Sequence, residues 1–393
     1  MSILFLLRLW PVYGGGESVT RLLANEFITM GYSVHVAYFK YSTCGTQPII
    51  NKGINEHYIE RVPCDEYTSN DIEDAYGVSD KICEIINSES IDFVINQWWP
   101  LAFVKDINVK TNAKVIWCLH TIFAQPFEKP KSLVKWVKYT LFPTHYKNRI
   151  KKNAVKKVED VLPYVDKYIF LSEAYKKQFL EWSDSQYKNK IGVIPNPIPF
   201  NYSISEEEVE GKENIVLVVG RMRESIKRYS YILRIWQIIE KKYLEIGDWK
   251  LVMVGDGESL DDYKKMASDM RLKKISFVGY QDPTSYYKKS KITLMTSKIE
   301  GFPMVIIESQ QMGVVPIAMN SFPALQDVIK NEKNGIIVPN NDINTMSKKL
   351  IHLMKDSIYY NRMSKCAILS IQNYSLNYVT SLWKSLLENT KHI

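Results

Sequence analysis

A series of short apolar runs, separated by longer helical patterns, constrains the fold more than any other feature of the chain. In the first half the runs cover residues 3–7, 33–38, 93–97, 114–119, 167–171 and 191–194, and in the second half residues 215–219, 250–254, 275–278, 292–296, 314–318 and 335–338. Because these runs are continuously apolar, they predict strands buried on both faces of a parallel sheet. Their alternation with helices in two sets predicts an α/β protein with two Rossmann-like, doubly wound domains.

A cluster of prolines marks the predicted domain boundary. Three prolines fall within five residues, from Pro195 to Pro199, and such a segment cannot form a helix or a central strand. We therefore place the first domain at residues 1–196 and the second at 197–369. The acidic residues 205–210 are interpreted as an exposed linker. A helical pattern at about 370–393 is expected to pack back on the first domain.

Composition narrows the class of protein. The 393 residues include 51 Lys and Arg against 43 Asp and Glu, a net charge of +8 that suits an anionic ligand or membrane surface. Zinc-finger spacing, RNA-binding aromatic signatures and recognition-helix patterns are all missing from the sequence, so nucleic acid is not expected as a partner. Five scattered cysteines without a CxxC motif predict free thiols in a reducing cytoplasm. No apolar run approaches the roughly 18 residues of a membrane-spanning helix.

A glycine-rich turn follows the first predicted strand. Gly14, Gly15 and Gly16 open a helical pattern that runs to about residue 30. Glycines allow the backbone to approach a ligand closely, and a helix N-terminus favours anions. An ordinary tight turn explains the same residues equally well. The spacing is not GxGxxG, which argues against a dinucleotide site.

Two cations follow the first strand of the second half. Arg221 leaves the carboxyl end of that strand, where doubly wound sheets bind ligands, and Lys227 follows it near the start of the next helix. Together they could hold a diphosphate, since the planar guanidinium matches phosphate oxygens. The alternative is a solvated basic turn, because Arg223 and Arg228 lie beside them.

The segment from Ser297 to Gly313 carries two glutamates. Pro303 suits the first position of a helix, which would leave the N–H groups of Met304 and Val305 as donors for phosphate. Glu308 shares a helix face with Met304 and could accept hydrogen bonds from ribose hydroxyls. Glu300, in the preceding loop, could reach sugar hydroxyls. Glu308 could be an ordinary exposed glutamate, but its apolar neighbours favour a functional role.

A basic stretch extends from Lys129 to Lys157. It holds ten Lys and Arg and no acidic residue, interleaved with Trp136 and two tyrosines. This pattern is typical of contact with an anionic membrane surface. A solvated basic face on a core helix is the alternative. The stretch therefore supports a cytoplasmic protein that can act peripherally at the inner face of the membrane.

Taken together, these motifs resemble those of the family 4 retaining glycosyltransferases, which have the GT-B fold. The resemblance covers nearly the whole chain and rests on motifs in the family's order. These are the Gly14–Glu17 loop, Gly220-Arg221 with Lys227, Val254-Gly255-Asp256-Gly257, Phe277-Val278-Gly279-Tyr280, Glu300 with Glu308, and Asn334-Gly335-Ile336-Ile337-Val338. It implies that the two domains face each other across a cleft. Two departures are Arg228, where glycine is common, and Ser321-Phe322-Pro323-Ala324, where relatives carry a glycine pair.

The resemblance also implies roles for individual residues. Arg221 and Lys227 would hold the donor diphosphate, Glu308 the ribose, and Val278 and Tyr280 the base. Glu300, with the backbone of Gly301, Phe302, Pro303, Met304 and Val305, would bind the transferred sugar and the phosphates. Gly15 and Gly16 would border the diphosphate. His120 would lie near the sugar, so the predicted catalytic residues are His120, Glu300, Arg221 and Lys227.

The reaction implied is transfer of a hexose-type sugar, with retention of configuration, from a nucleoside-diphosphate sugar to a saccharide or lipid-linked acceptor. UDP is favoured over GDP, and surface polysaccharide or glycoconjugate synthesis is the expected setting. The sequence contains no Asp-x-Asp, so neither a metal nor another cofactor is expected. The alternatives are an enzyme of the sugar-nucleotide epimerase type and a non-catalytic nucleotide-sugar-binding partner. The oligomeric state is left open.

Overall fold

The computed structural model describes residues 1–12, 15–41, 48–60, 77–97, 99–127, 140–184, 186–200, 202–242 and 247–391. The chain forms two compact units. Unit 1 comprises Met1–Pro199 and Leu376–Ile393, and unit 2 comprises Phe200–Ser375. The division follows Pro199, at the end of the proline cluster, whereas the sequence placed it after residue 196.

Unit 1 is built on a parallel sheet of seven strands in the order β3-β2-β1-β4-β5-β6-β7. Its strands are β1 (Ser2–Trp10), β2 (Ser33–Tyr41), β3 (Ile54–Tyr58), β4 (Phe93–Asn96), β5 (Lys114–Leu119), β6 (Lys167–Phe170) and β7 (Ile191–Val193). Its helices in the first part of the chain are α1 (Gly15–Thr29), α2 (Val78–Ser88), α3 (Leu101–Lys110), α4 (Pro143–Glu159) and α5 (Glu173–Trp182). The strand order reverses direction at β1 and β4, as in a doubly wound fold.

The core of unit 1 includes the last helix of the chain. Phe5 of β1 and Phe27 of α1 stack with ring centroids 6.2 Å apart. The C-terminal helix α15 (Leu376–Lys391) adds Val379, Trp383 and Leu387 to the same buried cluster. The apolar residues of α15 recur four residues apart, so they lie on one face of the helix.

Unit 2 is built on a second parallel sheet, in the order β10-β9-β8-β11-β12-β13. Its strands are β8 (Glu213–Val219), β9 (Lys250–Val254), β10 (Ile275–Phe277), β11 (Ser290–Met295), β12 (Val315–Asn320) and β13 (Ile336–Pro339). Its helices are α6 (Glu206–Glu210), α7 (Glu224–Lys227), α8 (Tyr229–Lys242), α9 (Leu260–Asp269), α10 (Thr284–Lys289), α11 (Met304–Gln311), α12 (Leu325–Val328), α13 (Ile343–Lys355) and α14 (Ser357–Ser370). The prediction of two doubly wound α/β units is confirmed.

The structure differs from the sequence interpretation at two elements. Strand β3 was not predicted, because its residues are largely polar and, within the part of the chain that the structure describes, it pairs only with β2 at the sheet edge. The acidic residues predicted as a linker form helix α6. Ser205 caps this helix by accepting a hydrogen bond from the Glu208 N–H, and the Glu208 carboxylate accepts one from the Ser205 N–H. Among the described residues, no helix is long and apolar enough to cross a membrane.

Candidate active site

Two glycines shape the turn after β8 in unit 2. Gly220 and Gly255 both have φ of +141°, and a Cβ atom on Gly255 would lie 2.0 Å from the Gly220 carbonyl oxygen. The Gly220 N–H donates to the Val254 carbonyl at 3.0 Å. Only glycines permit this contact between the turns that follow β8 and β9. The contact fixes the backbone that carries Arg221 at the carboxyl edge of the sheet.

Arg221 has a largely exposed side chain on this turn. Its Nε lies 3.5 Å from the Glu258 carboxylate, which also pairs with Arg223 Nε at 3.0 Å. The exposed fraction of the Arg221 side chain is 71%, so its pairing with Glu258 contributes little to stability. The guanidinium is therefore accessible to an anionic ligand. Its predicted role at a diphosphate remains a prediction.

Lys227 and Glu300 form a close ion pair. Lys227 Nζ donates to Glu300 Oε1 at 2.6 Å, and the two side chains are only 18% and 17% exposed. Lys227 is the last residue of the short helix α7, and the longer helix α8 begins shortly after it at Tyr229. The fold thus brings together two predicted site residues that lie 73 positions apart in the sequence.

Glu308 lies on α11 with a carboxyl group in an unusual environment. Tyr287 of α10, which is fully buried, donates from its hydroxyl to Glu308 Oε2 at 2.8 Å. Burial raises the pKa of Glu308 to about 7, while the Tyr287 hydrogen bond and the positive charge of Lys227 act to lower it. Glu308 as a residue is partly exposed. No local sequence pattern pointed to Tyr287.

The N-terminus of α11 differs in detail from the prediction. Pro303 is the residue before the helix, with φ of −83° and ψ of 71°, and Met304 is the first helical residue. The Met304 N–H donates to the Phe302 carbonyl at 2.9 Å, so the prediction that it is an open donor is wrong. Phe302 and Pro303 are buried, whereas Gly301, Met304 and Val305 are partly exposed. The loop therefore offers Glu300 and Gly301 to a ligand more directly than Phe302 or Pro303.

The predicted base-binding residues follow β10. Gly279 has φ of +74°, and its carbonyl accepts a hydrogen bond from the Gly255 N–H at 2.8 Å. This contact ties the turn after β10 to the turn after β9. Val278 is partly exposed, and Tyr280 is 60% exposed beside it. The Tyr280 ring is thus available for stacking against a planar ligand.

His120 follows β5 in unit 1. Its Nε2 atom is buried, and burial lowers the pKa of the imidazole to about 4. His120 is consequently neutral near pH 7. Beside it, a cavity of about 240 Å³ is lined by residues after β5 and from α4, among them Leu119, Thr121, Asn153 and Lys157. Unit 1 thus has a neutral histidine and a cavity with both polar and apolar lining residues at the carboxyl end of β5.

The glycine turn of unit 1 begins α1. Gly15 is the first residue of the helix and is exposed, and Gly16 is buried, its carbonyl accepting a hydrogen bond from Thr20 at 3.0 Å. Burial raises the pKa of Glu17 in the same turn. Gly14 lies outside the described residues, so the loop is described only from Gly15 onward.

The basic stretch is described in its second part. Residues 128–139, which contain Lys129 and Trp136, lie outside the described residues, and α4 covers most of the rest. Leu141 and Phe142, just before α4, are 65% and 62% exposed. Lys147, Arg149 and the later lysines of α4 are mostly exposed, while Ala154, Val155 and Val158 are buried. The helix thus packs one apolar face on unit 1 and presents its cations to solvent.

Comparisons with known proteins match both units. The family described as glycosyl transferases group 1 matches residues 202–369, and the family described as glycosyltransferase family 4 matches residues 13–202. An uncharacterized glycosyltransferase of Haemophilus influenzae is 26% identical over 95% of this chain and 96% of its own length. A UDP-Gal:alpha-D-GlcNAc-diphosphoundecaprenol alpha-1,3-galactosyltransferase of Escherichia coli is 30% identical over 45% of this chain, which spans 48% of that relative.

The solved structures share the fold. Anabaena Alr3699/HepE, solved in complex with UDP and glucose, superposes with a TM-score of 0.70 at 14% identity, covering 98% of this chain and 99% of that one. Within the described residues, no group of three or more His, Cys, Asp or Glu side chains is arranged to hold a metal ion.

Proposed function

We propose that this chain, which belongs to glycosyltransferase family 4 and has the GT-B fold, transfers a hexose-type sugar from a nucleoside-diphosphate sugar to a saccharide or lipid-linked acceptor in the synthesis of a cell-surface glycan. The observation that carries the proposal is the Lys227–Glu300 pair, 2.6 Å apart and mostly shielded from water. It joins a cation suited to phosphate and a carboxylate suited to sugar hydroxyls. Glu308 and the accessible Arg221 lie in the same unit.

Names of the related proteins support a uridine nucleotide as donor. The Escherichia coli relative is named as a UDP-Gal transferase, and the Anabaena structure contains UDP and glucose. In our proposal Glu308 accepts hydrogen bonds from the ribose hydroxyls, and the Tyr280 ring contacts the base. The proposed acceptor, a saccharide or a lipid-linked saccharide, follows the diphosphoundecaprenol-linked acceptor in the name of the same relative.

The chemistry we propose is metal-independent transfer with retention at the anomeric carbon. Cleavage of the bond between sugar and diphosphate develops negative charge on the leaving phosphate. Arg221 and Lys227 would stabilise this charge from fixed positions, which lowers the barrier without rearrangement of solvent. Glu300 would orient the transferred sugar, and His120 keeps its predicted role as a catalytic residue. The acceptor would attack from the face that the diphosphate leaves, and the departing phosphate would take the acceptor proton.

A thermal-shift panel in EDTA tests the donor site. Its ligands are UDP, GDP, CMP, NAD and common UDP-sugars. We expect a UDP-sugar to raise the melting temperature, because a ligand that binds only the folded state adds stability that grows with its concentration. Glu308→Gln and Arg221→Ala should abolish the shift. Glu207→Gln, on the exposed surface of α6, is the matched control and should leave it intact.

Product analysis then tests the reaction. NMR of the new glycosidic linkage should show the anomeric configuration of the donor. An inverted product would contradict retention, and donor isomerised without any acceptor would favour an epimerase-type enzyme. Stabilisation by NAD alone would contradict the donor assignment. Binding of donor without turnover, over a range of acceptors, would favour a non-catalytic binding partner.

Docking on a membrane surface is a further part of the proposal. We propose that unit 1 docks on the cytoplasmic leaflet through the exposed cations of α4, preceded by the exposed Leu141 and Phe142. Each cation near an anionic surface contributes about 1 kcal/mol of attraction, which falls off within a Debye length. Such docking would bring the enzyme to a lipid-linked acceptor.

Liposome flotation tests the docking. The protein should float with vesicles that contain phosphatidylglycerol and remain at the bottom with pure phosphatidylcholine. Lys152→Glu with Lys156→Glu should reduce flotation, whereas Lys333→Glu with Lys348→Glu, exposed in unit 2, should not. Equal flotation with both lipids, or equal effects of both variants, would contradict docking through α4.

A further inference from the structure

Arg228 combines a buried charge with a left-handed backbone. It follows Lys227 directly and is the C-cap residue of α7, with φ of 52° and ψ of 43°. The residue is only 8% exposed. A residue with a Cβ atom rarely adopts this conformation, and it persists only where the surrounding contacts over-determine it. Glycine would occupy this backbone without strain. The contacts of the Arg228 side chain therefore explain why an arginine stands here.

The Arg228 guanidinium joins two loops to the end of α7. Its Nε donates to the Thr296 carbonyl at 2.7 Å and its Nη2 to the Ser297 carbonyl at 3.1 Å, in the loop that leads from β11 to Glu300. Its Nη1 and Nη2 also donate to the side-chain oxygens of Asn341 at 2.8 Å and Asn340 at 3.0 Å, after β13. A single planar fork thus reaches four neutral acceptors on two loops.

The loop before Glu300 also donates hydrogen bonds back to the end of α7. The Thr296 hydroxyl donates to the Lys227 carbonyl at 2.8 Å, and the Lys298 N–H donates to the Ile226 carbonyl at 2.7 Å. The backbone around Lys227 and the backbone before Glu300 are therefore tied at several points. Lys227 Nζ and Glu300 Oε1, 2.6 Å apart, are placed by these ties.

We infer that Arg228 is a positioning residue, whose side chain sets the placement of Glu300 relative to Lys227 for the donor sugar. The inference rests on the proposed function, in which Lys227 and Glu300 contact the donor. Removal of the fork would loosen the Glu300 loop, which would keep its Thr296 and Lys298 hydrogen bonds to α7 but lose those from Arg228. A shift of about 1 Å in a catalytic group can lower the rate about 100-fold. Lysine cannot replace Arg228, because an ammonium group cannot reach carbonyls and amide oxygens on two loops in one plane.

The test compares Arg228→Gly and Arg228→Lys with wild type. Glycine suits the left-handed backbone, so Arg228→Gly removes the fork and relieves backbone strain together. We expect kcat with a UDP-sugar to fall about 100-fold. The affinity for UDP, to which Glu308 contributes in our proposal, should stay nearly unchanged. Added millimolar guanidinium should restore part of kcat in Arg228→Gly but not in Arg228→Lys. Arg234→Lys, exposed on α8, is the matched control and should keep wild-type kcat.

Hydrogen exchange provides a readout that does not depend on activity. The amides of residues 297–301, including the hydrogen-bonded Lys298 N–H, should exchange at least about tenfold faster in Arg228→Gly, because the loop loses the hydrogen bonds that the Arg228 guanidinium donates to Thr296 and Ser297. Unchanged exchange with unchanged kcat would overturn the inference. A different outcome separates the inference from the proposed function. If the wild-type protein binds no nucleotide sugar but exchange is faster in Arg228→Gly, the proposed function is refuted, and the role of Arg228 in holding the Glu300 loop is supported.

Discussion

The carboxyl group of Glu308 titrates close to neutral pH, and its protonation state decides what it can bind. When ionised it accepts hydrogen bonds from two hydroxyls, and when protonated it loses part of that capacity. Burial raises its pKa to about 7 from the ordinary value of 4.5. In the ligand-free protein, this raised pKa contributes stability that is present below pH 4.5 and lost as the pH rises through about 7. Ligand binding should show the opposite trend.

We expect the affinity for a UDP-sugar to fall about tenfold between pH 8 and pH 6, since Glu308 passes from mostly ionised to mostly protonated. Tyr287→Phe removes a hydrogen bond that lowers the Glu308 pKa, so the midpoint should move to higher pH. Isothermal titration calorimetry across this pH range measures both effects. Glu308→Gln should give a flat profile, and Tyr286→Phe on the same helix should leave the midpoint in place. A wild-type profile as flat as that of Glu308→Gln would contradict this role of Glu308.

Individual site residues could be predicted only where the sequence carries a local signal. Arg221 and Glu300 lie in loops that follow strands β8 and β11, and Lys227 and Glu308 lie on the helices that come next, so all four could be proposed as candidates from patterning. Tyr287 could not be predicted, because its hydrogen bond to Glu308 joins residues 21 positions apart and does not follow from local sequence. The same holds for Arg228, whose backbone carbonyl partners lie 68 and 69 residues away.

At the level of elements, burial decided what the sequence could predict. Each of the six apolar runs of unit 2 forms a strand, because a strand covered on both faces needs apolar side chains throughout. Strand β3 has one neighbouring strand, and its exposed polar residues carry no such pattern. Helix α6 was taken for a linker because its stability comes from the Ser205 cap and not from an apolar face. Patterning therefore identifies elements that carry an apolar run, including the edge strand β10, and overlooks the polar β3 and the capped helix α6.

At the level of the whole molecule, each unit has its own buried apolar clusters, and a cluster of unit 1 includes residues of the last helix of the chain. The buried cluster of unit 1 includes Trp383 and Leu387 of α15, and that of unit 2 includes Trp236 and Leu251. The chain thus leaves unit 1 at Pro199, forms unit 2 and returns. The sequence pattern of α15 shows an apolar face and led to the expectation that the helix packs back on the first domain, and the structure places that face in the unit 1 core.

A substitution in α15 should therefore destabilise unit 1 selectively. Trp383 is 4% exposed in the unit 1 core, and Trp383→Ala should cost about 3–5 kcal/mol of the free energy of unfolding of that unit, as large-to-small core substitutions do. Native-state hydrogen exchange resolves the two units, since β1 reports on unit 1 and β8 on unit 2. We expect the β1 amides to exchange faster in Trp383→Ala while the β8 amides keep wild-type rates. Ser381→Ala, exposed on the same helix, should change neither. If β8 accelerates as much as β1, the two cores unfold as one cooperative system, and α15 stabilises the whole chain instead of the unit it packs in.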